Sequence, residues 1–311
     1  MTDRPAAVAL SDVAMDQYVR DAFGDHPPSL SASVAHKLLT RSPRHAWVSH
    51  ARLNAAWEPK TESRFDLGSA AHAIVLEGKR ELIAALPYDD WRKKEAQQAR
   101  ELARLDGKIP LLADQAEAVT RMAMVVEDTI ATSPDLRGLG PLVAETTLLW
   151  QDGVAWCRCR PDWMTADHAI VLSYKTTAAS AEPDAFTRGV LLGSGYDLQA
   201  AFEVNAVKAL AGVEPKYVWI VQEVTEPYAV SLLGLSPELA EFAQQKYRRA
   251  VARWAECMRD DEWPAYPDRI CWVDPPAWAV TQWTERHGYQ PPDTTLDDGR
   301  PLDEQLMGDP R

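Results

Sequence analysis

An α+β fold follows from three features of this 311-residue sequence. Helical periodicity and helix-capping signals dominate from Ser31 to Ser133. The apolar period then switches to two, and after Tyr174 helices alternate with two further strand-forming runs. Ser31 caps a helix over residues 31–39, and Ser42 followed by Pro43 starts another through 53, with proline in the tolerated first turn. A third helix over 66–77 stops at Gly78, a residue suited to a left-handed C-cap. Residues 91–105 (WRKKEAQQARELARL) read as a solvated charged helix. Residues 114–131 form an amphipathic one, with Val119, Met122, Val126 and Ile130 on one stripe.

The run 143–151 is rich in strand formers, and Asp152-Gly153 is a hairpin signal. Residues 154–160 (VAWCRCR) alternate strictly, placing Trp156, Arg158 and Arg160 on one face. A third strand over 169–174 completes an expected antiparallel three-strand centre, part of a mixed sheet flanked by helices. Helices over 183–192 and 197–210, strands over 217–224 and 228–235, and a long helix opened by Ser236-Pro237 complete the core. Residues 1–28 read as a flexible N-terminal arm, 29–270 as a single domain with a helical N-terminal elaboration, and 271–311 as a Pro/Trp-rich C-terminal extension.

Composition narrows the function classes. With 33 basic and 46 acidic side chains the net charge is −13, which excludes a protein coated in basic charge for sequence-blind wrapping of nucleic acid. A local basic groove stays compatible with that total. Four cysteines make no disulfide framework. The opening residues are not a secretory signal, and no apolar run is long enough to cross a bilayer. A soluble cytoplasmic protein with no membrane partner is the expectation.

Residues 160–177 (RPDWMTADHAIVLSYKTT) carry the chemistry. Asp162 ends one strand, and Ser173 and Lys175 share one face of the next. A carboxylate and a lysine converging at a strand end suit metal-assisted phosphodiester hydrolysis, the first holding a cation and the second orienting the attacking water. Trp156, Arg158 and Arg160 on one strand face could stack on and neutralise a nucleic-acid strand.

Pro161-Asp162, ten intervening residues and then Ser173-Tyr174-Lys175 resemble the PD-(D/E)XK nuclease superfamily. Thr176-Thr177 resembles the ending of the branch that includes lambda exonuclease and RecE-type exonuclease VIII, found in phages and prophages. Gly68-Ser69-Ala70-Ala71-His72 is similar to that branch's helix with a metal-binding His. Tyr196-Asp197-Leu198-Gln199 is similar to its Gln-bearing helix. The resemblance implies a restriction-endonuclease-like core and an exodeoxyribonuclease acting on linear double-stranded DNA ends for recombination. It implies Mg²⁺ as cofactor, with Mn²⁺ as a substitute, a homo-oligomer, and a single-strand annealing protein as partner. Asp162, His72 and Ser173 would form the metal site, with Lys175 and Glu145 completing the catalytic set and Gln199, Tyr196 and Arg160 binding substrate. Two positions depart from the pattern: Ser173 stands where the family carries Asp or Glu, and Glu203 where it carries Tyr. A hydroxyl brings no charge to Mg²⁺, so impaired cutting is expected, and a non-cutting DNA-end-binding or recombination-partner protein is the alternative.

Overall fold

The computed structural model describes residues 7–59 and 66–288. It divides into two compact units, Met1–Ala265 and Tyr266–Arg311. In the first, β1 (Ala7–Leu10) and α1 (Met15–Arg20) precede β2 (Leu30–Ser31), α2 (Ala32–Thr40) and α3 (Pro43–Val48). The Ser42 hydroxyl accepts the His45 N–H, the cap expected there. α4 (Asp66–Glu77) stops at Gly78, whose φ of 65° is left-handed. β3 (Ile83–Leu86), α5 (Lys94–Leu105), β4 (Ile109–Leu112) and α6 (Ala113–Thr132) follow, with β3 and β4 forming a small parallel pair.

The strand-rich centre comprises β5 (Leu142–Ala144), β6 (Thr147–Asp152), β7 (Ala155–Cys159), β8 (Trp163–Thr165) and β9 (Ile170–Thr177). Short helices α7 (Pro183–Phe186) and α8 (Leu192–Ser194) lead to α9 (Tyr196–Ala211). The unit closes with β10 (Lys216–Glu223), β11 (Val230–Gly234) and α10 (Pro237–Asp260). In the second unit α11 (Ala277–His287) carries the exposed Trp278 and Trp283.

The central sheet is mixed, in the order β11-β10-β9-β8-β5, with β9 and β10 parallel. One face packs Leu172, Tyr174 and Ile220 against Ala71 and Ile74 of α4 and Met122 of α6. The other packs Val171, Trp219 and Val221 with Leu198 and Phe202 of α9 and Trp254 of α10. Burial on both faces accounts for the near-continuous apolar character of β9 and β10. A second sheet has the order β1-β6-β7-β2.

Three expectations are corrected. The antiparallel three-strand centre does not form, because 143–151 and 154–160 are split between the two sheets. Glu145 takes a left-handed φ of 54°, which breaks the first run into β5 and β6. Pro161 supplies no N–H just after β7, and the chain restarts as β8, which takes the place beside β9 expected for β7. Residues 7–28, expected as an arm, carry β1, paired with β6 from Ala7↔Trp150 to Leu10↔Thr147, and α1. Arg158, expected to face nucleic acid, is buried, 3.3 Å from Asp21 and donating to the Ser29 hydroxyl at 2.9 Å.

Candidate active site

Asp162 lies in the turn between β7 and β8, where Pro161 has released the backbone from pairing. Its Oδ2 accepts three donors from β9: the Ser173 hydroxyl at 2.9 Å, the Tyr174 N–H at 2.7 Å and the Lys175 ammonium at 3.4 Å. Among the described residues none donates to Oδ1, which leaves that oxygen to a cation. The period of two thus places Ser173 and Lys175 against one carboxylate as expected, although β8 and not β7 forms the neighbouring strand.

Glu145 reaches the same point from the break between β5 and β6. Its N–H donates to the Asp162 carbonyl at 3.1 Å, and its left-handed backbone turns the chain toward the site. His72 arrives from α4, its ring centroid 5.0 Å from that of Tyr174. Helix and strand approach this closely because residue 68 is glycine: a Cβ there would stand 3.2 Å from the Thr176 hydroxyl. One ligand atom each from His72, Glu145 and Asp162 lie within 4.8 Å of one another.

This arrangement coincides with a family match. Residues 31–273 match the model of a "PDDEXK-like domain of unknown function" (DUF3799). The chain belongs to that family. No curated protein matches the sequence. The crystal structure of a candidate exonuclease from Eubacterium rectale is similar in fold, with a TM-score of 0.55 at 11% identity, covering 88% of this chain and 98% of that one. The crystal structure of the protein SSO0001 is a weaker likeness, with a TM-score of 0.31, 9% identity, and 77% and 87% coverage.

In this PDDEXK-like domain, burial lowers the His72 pKa, against the raising effect of the Asp162 charge, so its imidazole is neutral and able to ligate near pH 7. Burial alone would lower the Lys175 pKa, but Asp162 and Glu203 outweigh it and raise it, so the ammonium is firmly charged. Two carboxylates and a neutral imidazole form a donor set for a divalent cation; the oxygens suit Mg²⁺ or Mn²⁺, and the imidazole favours the transition metal. Ser173 is fully buried and donates its hydroxyl to Asp162, so it steadies that carboxylate and stands outside the trio. Glu145 brings a second carboxylate to the cluster beside Asp162.

Arg160 donates from Nε to Glu145 Oε2 at 2.5 Å and from Nη1 to the Val13 carbonyl at 2.6 Å, so it orients a carboxylate of the trio. Gln199 donates to Glu203 at 2.7 Å, and Tyr196 places its ring 5.2 Å from the Lys175 ammonium; both line the cleft that holds Asp162. Glu203, which departs from the family pattern, accepts the Tyr217 hydroxyl at 2.9 Å. Burial and the neighbouring Asp162 charge, only partly offset by Lys175, push its pKa up to about 7. Tyr217, which also reaches Ser173, was not legible as a site residue. The available signal was register: Tyr217 is the second residue of β10, directly opposite Val171 and two positions before the Trp219–Ser173 pair. Among the described residues no helix is long and apolar enough to cross a membrane.

Proposed function

We propose that this chain is a divalent-metal-dependent exodeoxyribonuclease that acts on the ends of linear double-stranded DNA and serves recombination. The observation that carries the reading is the convergence of His72, Glu145 and Asp162 within 4.8 Å, with the Lys175 ammonium 3.4 Å from Asp162. The likeness to a candidate exonuclease supports it. His72, Glu145 and Asp162 would hold Mg²⁺ or Mn²⁺, which would supply Lewis-acid stabilisation and a water of lowered pKa. Lys175 would orient the attacking water and offset charge on the phosphate, and Arg160 keeps Glu145 in line. Gln199 and Tyr196 border the path of the substrate. Assembly as a homo-oligomer and hand-over to a single-strand annealing protein belong to the same reading.

The test is degradation of linear duplex with Mg²⁺, with Mn²⁺ and with chelator. The reading expects metal-dependent release of nucleotides that Asp162→Ala and Lys175→Ala each abolish. Degradation that survives chelator would refute it. The second reading, end binding without cutting, draws on the neutral hydroxyl of Ser173 and would be favoured by metal-stimulated binding with no products in either metal.

A further inference from the structure

A buried chain of hydrogen bonds runs from the wall of the cleft to Asp162. β10 lies parallel to β9 with Trp219 opposite Ser173 and Tyr217 opposite Val171, so Tyr217 and Ser173 share a sheet face one pair apart. α9 packs on that face: its Phe202 lies in one core with Val171 and Trp219, and Glu203 follows Phe202 on the helix. The Tyr217 hydroxyl donates to Glu203 Oε2 at 2.9 Å and is also hydrogen-bonded to the Ser173 side chain. Ser173 donates onward to Asp162 Oδ2 at 2.9 Å. At the other end Gln199, on the cleft wall, donates to Glu203 Oε1 at 2.7 Å. Ser173, Glu203 and Tyr217 are all buried.

Charge sets Glu203 apart from the carboxylates beside it. Arg160 lies 2.5 Å from Glu145, and Lys175 lies 3.4 Å from Asp162. Two neutral donors hold Glu203, and among the described residues no cation pairs with it. A carboxylate buried without a cation costs stability. What its hydrogen bonds provide is a fixed place for Tyr217 and, through Ser173, for one oxygen of Asp162. The donors from β9 then all fall on Oδ2, and Oδ1 stays available. Burial and the nearby Asp162 charge both raise the Glu203 pKa, a measure of how poorly this enclosure accepts further negative charge.

Resting on the nuclease reading above, we infer that Glu203 and Tyr217 are positioning residues that act on Asp162 through Ser173, and that positions 173 and 203 are a matched pair, one carrying a carboxylate and the other a neutral group. An acid at 173 would stand against Asp162 and one hydroxyl away from Glu203, with Lys175 as the cation beside them. Like charges held this close in an enclosed site repel strongly. A neutral amide at 203 removes that repulsion and still offers a donor and an acceptor to Gln199 and Tyr217. The two departures from the family pattern, a hydroxyl in place of an acid at 173 and an acid in place of a phenol at 203, are then a single exchange. Tyr217 supplies the phenol from β10.

The experiment compares wild type, Ser173→Asp, Glu203→Gln and the double variant, at a pH above the Glu203 pKa of about 7. Each is assayed for degradation of linear duplex in Mg²⁺ and in Mn²⁺, and for unfolding by denaturant in chelator. Ser173→Asp should lower kcat by about tenfold or more, as changes around metal ligands do, and adding Glu203→Gln should restore most of that loss. Glu203→Gln alone should lower kcat, so the sign of its effect reverses with residue 173. Effects that multiply independently in the double variant overturn the pairing. Tyr217→Phe removes a hydroxyl that lies off the cleft lining, and it should lower kcat with the KM for DNA unchanged. A kcat equal to that of wild type overturns the action through Ser173. If nothing is cut in either metal, the nuclease reading fails and the pairing is judged by unfolding. Ser173→Asp should then lower the folding constant about tenfold more in the wild-type background than in Glu203→Gln, and equal losses overturn it. A Ser173→Asp chain that does not fold should fold once Glu203→Gln is added, and a double variant that stays unfolded overturns the pairing.

Discussion

Two buried aspartates, built from the same residue types, do opposite work in this protein. Asp21 accepts the Ser29 N–H and hydroxyl, lies 3.3 Å from Arg158 and 3.5 Å from Arg52, and has His26 and His50 within 4 Å. Both of its oxygens are taken, two guanidiniums face one carboxylate, and burial beside Arg158 drives the His50 pKa down to about 4. Asp162 has Ser173 and Lys175 in comparable positions, but all its donors fall on one oxygen and a second carboxylate and an imidazole stand beside it. A saturated carboxylate with surplus cations pins the chain, whereas a half-saturated one with surplus acceptors in a cleft attracts a cation.

The largest effect that sharpens this contrast is on activity. Asp162→Ala should lower metal-dependent nuclease activity by more than about 100-fold, since even outer-shell losses at metal sites cost about 10- to 100-fold. Asp21→Ala, assayed well below its unfolding temperature, should keep metal-dependent activity. If both variants are equally dead while folded, the two centres are not separable. For stability the ranking reverses. Asp21→Ala should cost about 3–5 kcal/mol by stranding Arg158 in the interior, read as a fall of about 10 °C in Tm. Metal addition gives the next effect: at a hundredfold over Kd, Mn²⁺ should stabilise the wild type by about 2.7 kcal/mol. That gain should vanish in Asp162→Ala and persist in Asp21→Ala.

Ser173→Asp probes the site more gently. A third carboxylate packed against Asp162 and near Glu203 should destabilise the metal-free protein by about 1–3 kcal/mol and tighten Mn²⁺ binding by titration calorimetry. A variant as stable as wild type in chelator would show that residue 173 is not as enclosed as its burial indicates. The smallest effect concerns Glu203. Its pKa is raised from 4.5 to about 7, so its contribution to stability is complete below pH 4.5 and is lost as pH rises through about 7. Glu203→Gln should remove that fall from the Tm profile in chelator between pH 4.5 and 8. A profile parallel to wild type would show that Glu203 titrates normally.

Much of this was determined by local sequence. Caps and periodicity marked α2, α4, α6, α9 and α10, because Gly78 and Ser236 act on backbone within their own turn and need no distant partner, although Ser31 makes no side-chain cap bond. The alternation in β9 determined that Ser173 and Lys175 share a face, and Gly68 with His72 marked the helix that approaches Thr176. Tertiary structure decided which strands became neighbours. Alternation orients side chains without naming the partner strand, so the sequence alone could not separate β6 and β7 from the sheet that holds β9. It decided the fate of Arg158 and Arg160, two residues apart on one strand face, by bringing Asp21 to the first and Glu145 with the Val13 carbonyl to the second. The docking of residues 7–10 on the second sheet has the same origin: β1 pairs with a strand about 140 residues away, and contacts at that separation leave no periodic trace in the segment that makes them.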